Sequence, residues 1–89
     1  MPIVERITEG RAAKLGQVVE VRELTVEQWL KRVEEGREID GASLLADMLF
    51  IDGVPIGDER LRTLGFSEIQ GPLNAMNRIM SGEDEEGNV

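Results

Sequence analysis

Residues 17–30, QVVEVRELTVEQWL, hold a β pattern and an α pattern back to back. Val19 and Val21 alternate with Val18, Glu20 and Arg22, the period-two spacing of a strand with one buried face. Four residues later the chemistry changes. Thr25 stands at an N-cap position and Gln28 three residues on, which is the spacing of a capping box. Leu24 before the cap and Trp29 inside the helix have the spacing of a hydrophobic staple. Val26, Trp29, Leu30 and Val33 then recur at i, i+3, i+4 and i+7, one stripe of a helix predicted over about 26–35. Gly36 ends it. A strand that runs directly into a capped helix predicts a mixed fold.

Upstream, IVERIT (residues 3–8) is rich in Ile and Val, and EGRAAKLG separates it from the strand just described. Gly10 and Gly16 bracket that loop. The pattern predicts a β-hairpin over 3–22. A frayed helix over 4–15 is the rival reading, which Gly10 and the β-branched flanks disfavour.

Downstream, Leu44, Leu45, Met48 and Leu49 share one face of a helix predicted over 42–51, capped by Asp40 or Ser43. Phe50 and Ile51 widen its apolar arc beyond what a solvent-facing helix carries. DGVPIGDE (52–59) reads as a turn, with Asp58 capping a short helix over 58–64 that Gly65 stops. The last helix is predicted over 67–81, where Ser67 and Gln70 repeat the capping-box spacing. Pro72 falls at the fifth position, so the helix either kinks or restarts there. Leu73, Met76, Ile79 and Met80 line one side. The expected fold is therefore α+β, mostly α, in a single small domain of residues 1–81. An acidic segment, 82–89, is expected to be disordered.

Composition narrows the function. The 89 residues include no histidine, cysteine or tyrosine. Histidine-dependent triads, thiol nucleophiles, thiolate zinc sites and disulfides are excluded. No phosphate-binding glycine loop is present, and the acids of 52–59 lack the alternation of a calcium loop. An enzyme is thus the least supported class, and no cofactor, catalytic residue or metal ligand is expected. Eighteen acids oppose ten bases for a net charge of −8, and four of those acids lie in SGEDEEGNV. Net acidity argues against nucleic acid and against an anionic membrane surface. No apolar run reaches the roughly 18 residues of a membrane span, and the start has no pattern of a signal peptide. A cytoplasmic setting is expected.

Apolar positions are plentiful for a domain of this size, and an uncovered apolar patch usually marks a protein interface. The candidate contact residues are Trp29, Met48, Phe50, Met76, Ile79 and Met80. Tryptophan is enriched in binding hot spots, and methionine adapts to varied apolar partners. Each of these side chains has a plain structural reading as core.

The stretch VEVRELTVEQWL, Val19–Leu30, resembles the small tail assembly chaperones of long-tailed bacteriophages. In those proteins a Val-rich strand runs into V-R-E-L-T-V, then a glutamine and an apolar helix. LGFSEIQGPLNAMNRIM, Leu64–Met80, matches a later family segment in outline, so the resemblance spans about 17–80. Gly71-Pro72 and the long loop EGRAAKLG depart from it. The resemblance implies a non-enzymatic protein that coats the helical, aggregation-prone tape measure protein in the host cytoplasm before the tail tube forms. It also implies that the chain can oligomerise, and that some members have a longer form made by ribosomal frameshifting. Two other readings stand beside it: a head–tail connector or other small virion subunit, and a small acidic regulatory or antitoxin-like protein.

Overall fold

The structure, a computed structural model, describes residues 2–81. The expected disorder of the acidic segment lies outside those residues. The alternating valines form the centre of a four-stranded antiparallel sheet with strand order β1-β2-β3-β4. Its strands are β1 (Val4–Arg6), β2 (Val19–Arg22), β3 (Leu49–Ile51) and β4 (Val54–Pro55). The helices are α1 (Val26–Glu34), α2 (Leu45–Met48), α3 (Gly57–Leu61) and α4 (Phe66–Ser81). A 3-10 turn, Ala12–Lys14, lies in the β1–β2 loop, and another, Gly41–Leu44, leads into α2.

The fold class is as expected, and the β1–β2 hairpin pairs Glu5 with Val21 and Arg6 with Glu20. The second half of the sheet is not foreseen by the helical reading of 42–51. That helix ends at Met48, and Leu49–Ile51 becomes β3, with Val21 opposite Leu49 and Val19 opposite Ile51. Side-chain direction explains the change. In a strand Leu49 and Ile51 point into the core while Phe50 points away, so the wide apolar arc needs no buried helix. Neither Asp40 nor Ser43 caps the preceding turn, and the Ser43 hydroxyl donates to Glu38 Oε1 instead.

Asp52 and Gly53 form the two-residue tip of the β3–β4 hairpin. Both have positive φ, 52° and 86°, as the turn type that fits twisted antiparallel strands requires. The Asp52 carboxylate accepts hydrogen bonds from the backbone N–H groups of Gln17 and Val18 at 2.9 and 2.8 Å. It thereby ties this tip to the end of the β1–β2 loop. Gly16 lies under the same tip; a Cβ there would sit 2.6 Å from Ile51 Cγ2.

The inner sheet face is covered by α2 and α4. Val19, Val21, Leu49 and Ile51 pack with Leu45, Met48, Ile69, Ala75, Met76 and Ile79 in one core. Helix α4 is continuous through Pro72, whose ring is buried in that packing. It starts one residue before Ser67, and the N-terminal bond runs from Gly65 N–H to Glu68 Oε1 at 2.8 Å rather than through Ser67 and Gln70. Near its end Arg78 pairs with Glu5 on β1. Helix α3 is shorter than the predicted 58–64. Asp58 stands in its first turn and serves an ion pair rather than a cap.

On the outer sheet face Phe50 and Glu20 are register partners. The Arg22 guanidinium lies 4.0 Å from the Phe50 ring centroid and donates to Glu20 Oε1. Among the described residues no helix is long and apolar enough to cross a membrane.

Candidate functional site

Helix α1 starts as its sequence dictates. Thr25 Oγ1 accepts the Gln28 N–H at 3.1 Å, and Gln28 Oε1 accepts the Thr25 N–H at 2.8 Å. Leu24 and Trp29 are half-buried and pack on the margin of the core. Beyond that margin the helix is oriented by a charge. Arg32 is 1 % exposed, and among the described residues it is the buried charged side chain. Its Nε donates to the Glu38 carbonyl at 2.8 Å, its Nη1 to Asp47 Oδ2 at 3.0 Å and its Nη2 to the Ser43 carbonyl at 3.4 Å. One guanidinium thus joins α1 to the segment after it and to α2. A planar fork with five donors is suited to three acceptors on separate segments.

Arg37 extends this network. Its Nη2 lies 2.9 Å from Asp58 Oδ2 and 3.5 Å from Asp47 Oδ1, and its Nη1 donates to Glu35 at 3.1 Å. The hydrogen bond to Glu35 is the largest cause of a raised Arg37 pKa. The charges of Asp47 and Asp58 add to it, and desolvation opposes it. Asp47 and Asp58 are both engaged by guanidinium groups, and Asp58 also borders the adjoining space. That space is a half-open cleft of about 590 Å³ whose lining includes Arg37, Asp58, Leu61, Arg62, Leu64 and Phe66. Among the described residues no group of three or more acids is arranged to hold a metal ion.

Burying Arg32 turns the aliphatic stripe of α1 outward. Val26 is 75 % exposed, Leu30 51 % and Val33 48 %. They lie at i, i+4 and i+7, so they form one contiguous strip two turns long. A shallow groove along it is lined by Val26, Glu27, Leu30, Lys31 and Glu34. The other exposed large apolar side chains, Val4, Val54, Phe66 and Met80, are scattered over β1, β4 and the two ends of α4.

The candidate contact residues divide. Met48, Met76 and Ile79 are core residues, enclosed by the sheet and by α2 and α4, and no partner reaches them while the domain is folded. This corrects their reading as contacts. Their helices have the sheet to cover, which a helical periodicity does not disclose. Phe50 is half-buried beneath Arg22 on the outer sheet face, and Trp29 is half-buried beside the α1 strip. Met80 is 50 % exposed near the end of α4. The structure does not gather these six into one surface. The surface it does present, Val26–Leu30–Val33, consists of residues that the periodicity assigns to the inside. The sequence gives little signal for the reverse: Arg32 is held by the backbone carbonyls of Glu38 and Ser43 and by Asp47, fifteen residues further on.

No family model, no curated protein and no solved structure matches this chain.

Proposed function

We propose that this chain is a non-enzymatic protein-binding module that docks a client on α1. The observation that carries the reading is the Val26–Leu30–Val33 strip, held outward by a buried arginine. Water-exposed aliphatic surface on one helix face is unfavourable in isolation and is relieved when an apolar partner covers it. The acidic remainder of the chain keeps such a binder soluble. The client class comes from the resemblance of Val19–Leu30 to tail assembly chaperones, which makes the client a tape measure protein in the cytoplasm of a bacterial host. That resemblance is strongest over the segment that builds β2 and α1.

The test is co-expression of the chain with a helical fragment of a tape measure protein. Wild type is expected to keep the fragment in the soluble fraction and to co-purify with it. Leu30→Asp is expected to lose both effects while remaining folded. A fragment that stays insoluble with wild type, or that Leu30→Asp rescues equally well, rejects the reading.

A further inference from the structure

We infer that the occupant of the α1 strip is an antiparallel amphipathic helix with basic residues along its flank, and not a second copy of this chain. This rests on the docking reading above and specifies the chemistry of the partner. Val26, Leu30 and Val33 follow the +4, +3 spacing of d, a and d positions in a coiled-coil seam. In that frame Glu27 and Glu34 both occupy the e position, and Trp29 lies on the opposite flank at g. Neither Glu27, Lys31 nor Glu34 is engaged in an ion pair or hydrogen bond to another side chain among the described residues. Their charges remain free to meet a partner.

The flank decides between occupants. When two helices pack antiparallel, each e position faces the e position of the other. A two-fold contact centred on Leu30 would set Glu27 of one copy beside Glu34 of the other, and the same again by symmetry. Both encounters are between like charges on a protein already at −8. The contact is also small. Nine residues of helix span about 13 Å, and three aliphatic side chains line the strip, too few to build the interface of roughly 800 Å² per partner that a stable complex buries. A self-pair on this strip would have little apolar gain to set against the repulsion. A helix carrying Lys or Arg at its own e positions covers the same aliphatic strip and turns both repulsions into attractions. The short seam makes such binding reversible.

The test uses the full chain and two synthetic helical peptides of 21 residues without tryptophan. They share one leucine seam; one carries lysine at its e positions, the other glutamate. Binding is followed by anisotropy of a label on the peptide and by emission from Trp29, which sits beside the seam. The lysine peptide is expected to bind about five- to tenfold more tightly at low salt, as two exposed charge pairs change sign. That preference shrinks at high salt. The double variant Glu27→Lys/Glu34→Lys reverses it, and Leu30→Asp removes binding of both peptides. Equal affinities, or no binding of either peptide by the folded chain, overturn the inference. So does a light-scattering dimer that Leu30→Asp converts to monomer, because a second copy then occupies the strip. If the peptides fail in this way while Leu30→Asp still abolishes rescue of the tape measure fragment, the docking face stands and the charge rule falls. If they behave as expected but the fragment is not rescued, the chaperone reading falls and the rule stands.

Discussion

Arg32 of α1 and Asp47 of α2 meet at 3.0 Å with the arginine enclosed, and that contact decides which side of α1 faces the solvent. A buried ion pair adds little relative to a well-packed apolar pair, but removing one partner leaves a desolvated charge. Arg32→Met is therefore expected to destabilise the domain by about 3 kcal/mol, measured by urea unfolding. It leaves Asp47 with only the longer contact to Arg37, at 3.5 Å, and also deprives the Glu38 and Ser43 carbonyls of a donor. Arg32→Lys is expected to recover only a minor part, because one ammonium cannot reach three acceptors spread over separate segments. A variant within about 0.5 kcal/mol of wild type, the range of an ordinary surface substitution, would mean that α1 is held by Leu24 and Trp29 without the ion pair.

Asp52 combines two demands in one residue: a positive φ and two backbone N–H groups to accept. Asp52→Ala fails both, and a loss of about 2 kcal/mol is expected from the strained backbone and the two unmatched donors. Asp52→Asn tolerates the backbone conformation and retains an acceptor oxygen, so it should lose less than half as much. Paired thermal and urea melts of the two variants check the order. Equal losses would assign the effect to charge.

Gly16 is required by proximity, and its backbone is not among those with positive φ. A methyl group there meets Ile51 Cγ2 at 2.6 Å and Asp52 Oδ2 at 2.9 Å. The β1–β2 loop must lift away from the β3–β4 tip to admit it. Gly16→Ala is expected to cost about 1–3 kcal/mol as an overpacked site. The double variant Gly16→Ala/Ile51→Ala removes the clashing Cγ2 methyl and should lose less than the two single changes added together. Simple additivity would place the strain elsewhere.

The elements legible in the sequence are those that local chemistry specifies. The Thr25–Gln28 box closes within four residues and needs no tertiary partner, and the alternation at Val19 and Val21 fixes a strand with one buried face. The Asp52–Gly53 tip is legible as a turn from its dipeptide. Its role in pairing β3 with β4 depends on Leu49–Ile51 being a strand, and that depends on β2 being there to receive it. The same non-locality hides the surface. Amphipathic periodicity locates the stripe on α1 but carries the assumption that the stripe faces inward. Whether it does depends on Arg32 finding Asp47, fifteen residues further on. In α4 the periodicity and the packing agree at Met76 and Ile79, where the sheet supplies an apolar floor, and part at Met80, which is half-exposed near the helix end.

Thr25 makes the helix start separable from the helix face. Thr25→Ala removes the acceptor for the Gln28 N–H and should cost about 1 kcal/mol, with the Leu30 surface unchanged. Thr25→Ser, which keeps the hydroxyl, should be near neutral. Client rescue by Thr25→Ala is expected to fall only in proportion to its folded fraction, followed by circular dichroism at the temperature of the rescue assay. A complete loss of rescue from a folded Thr25→Ala protein would mean that the cap residue itself contacts the client.

Leu30 and Met48 separate surface from core most directly. Leu30 is half-exposed with its side chain on the outward strip, whereas Met48 is enclosed. Leu30→Ala is expected to shift stability by no more than about 0.5 kcal/mol, because the removed atoms already touch water in the free domain. Met48→Ala is expected to cost about 2–5 kcal/mol through the cavity it leaves among α2, α4 and the sheet. Binding should divide the other way. Leu30→Ala should weaken capture of a helical partner markedly. Met48→Ala, assayed at a temperature where it remains folded, should capture the partner nearly as well as wild type. A reversal of either order, measured as unfolding free energy for one and partner affinity for the other, would mean that α1 lies on the body of the domain in solution and presents a different face.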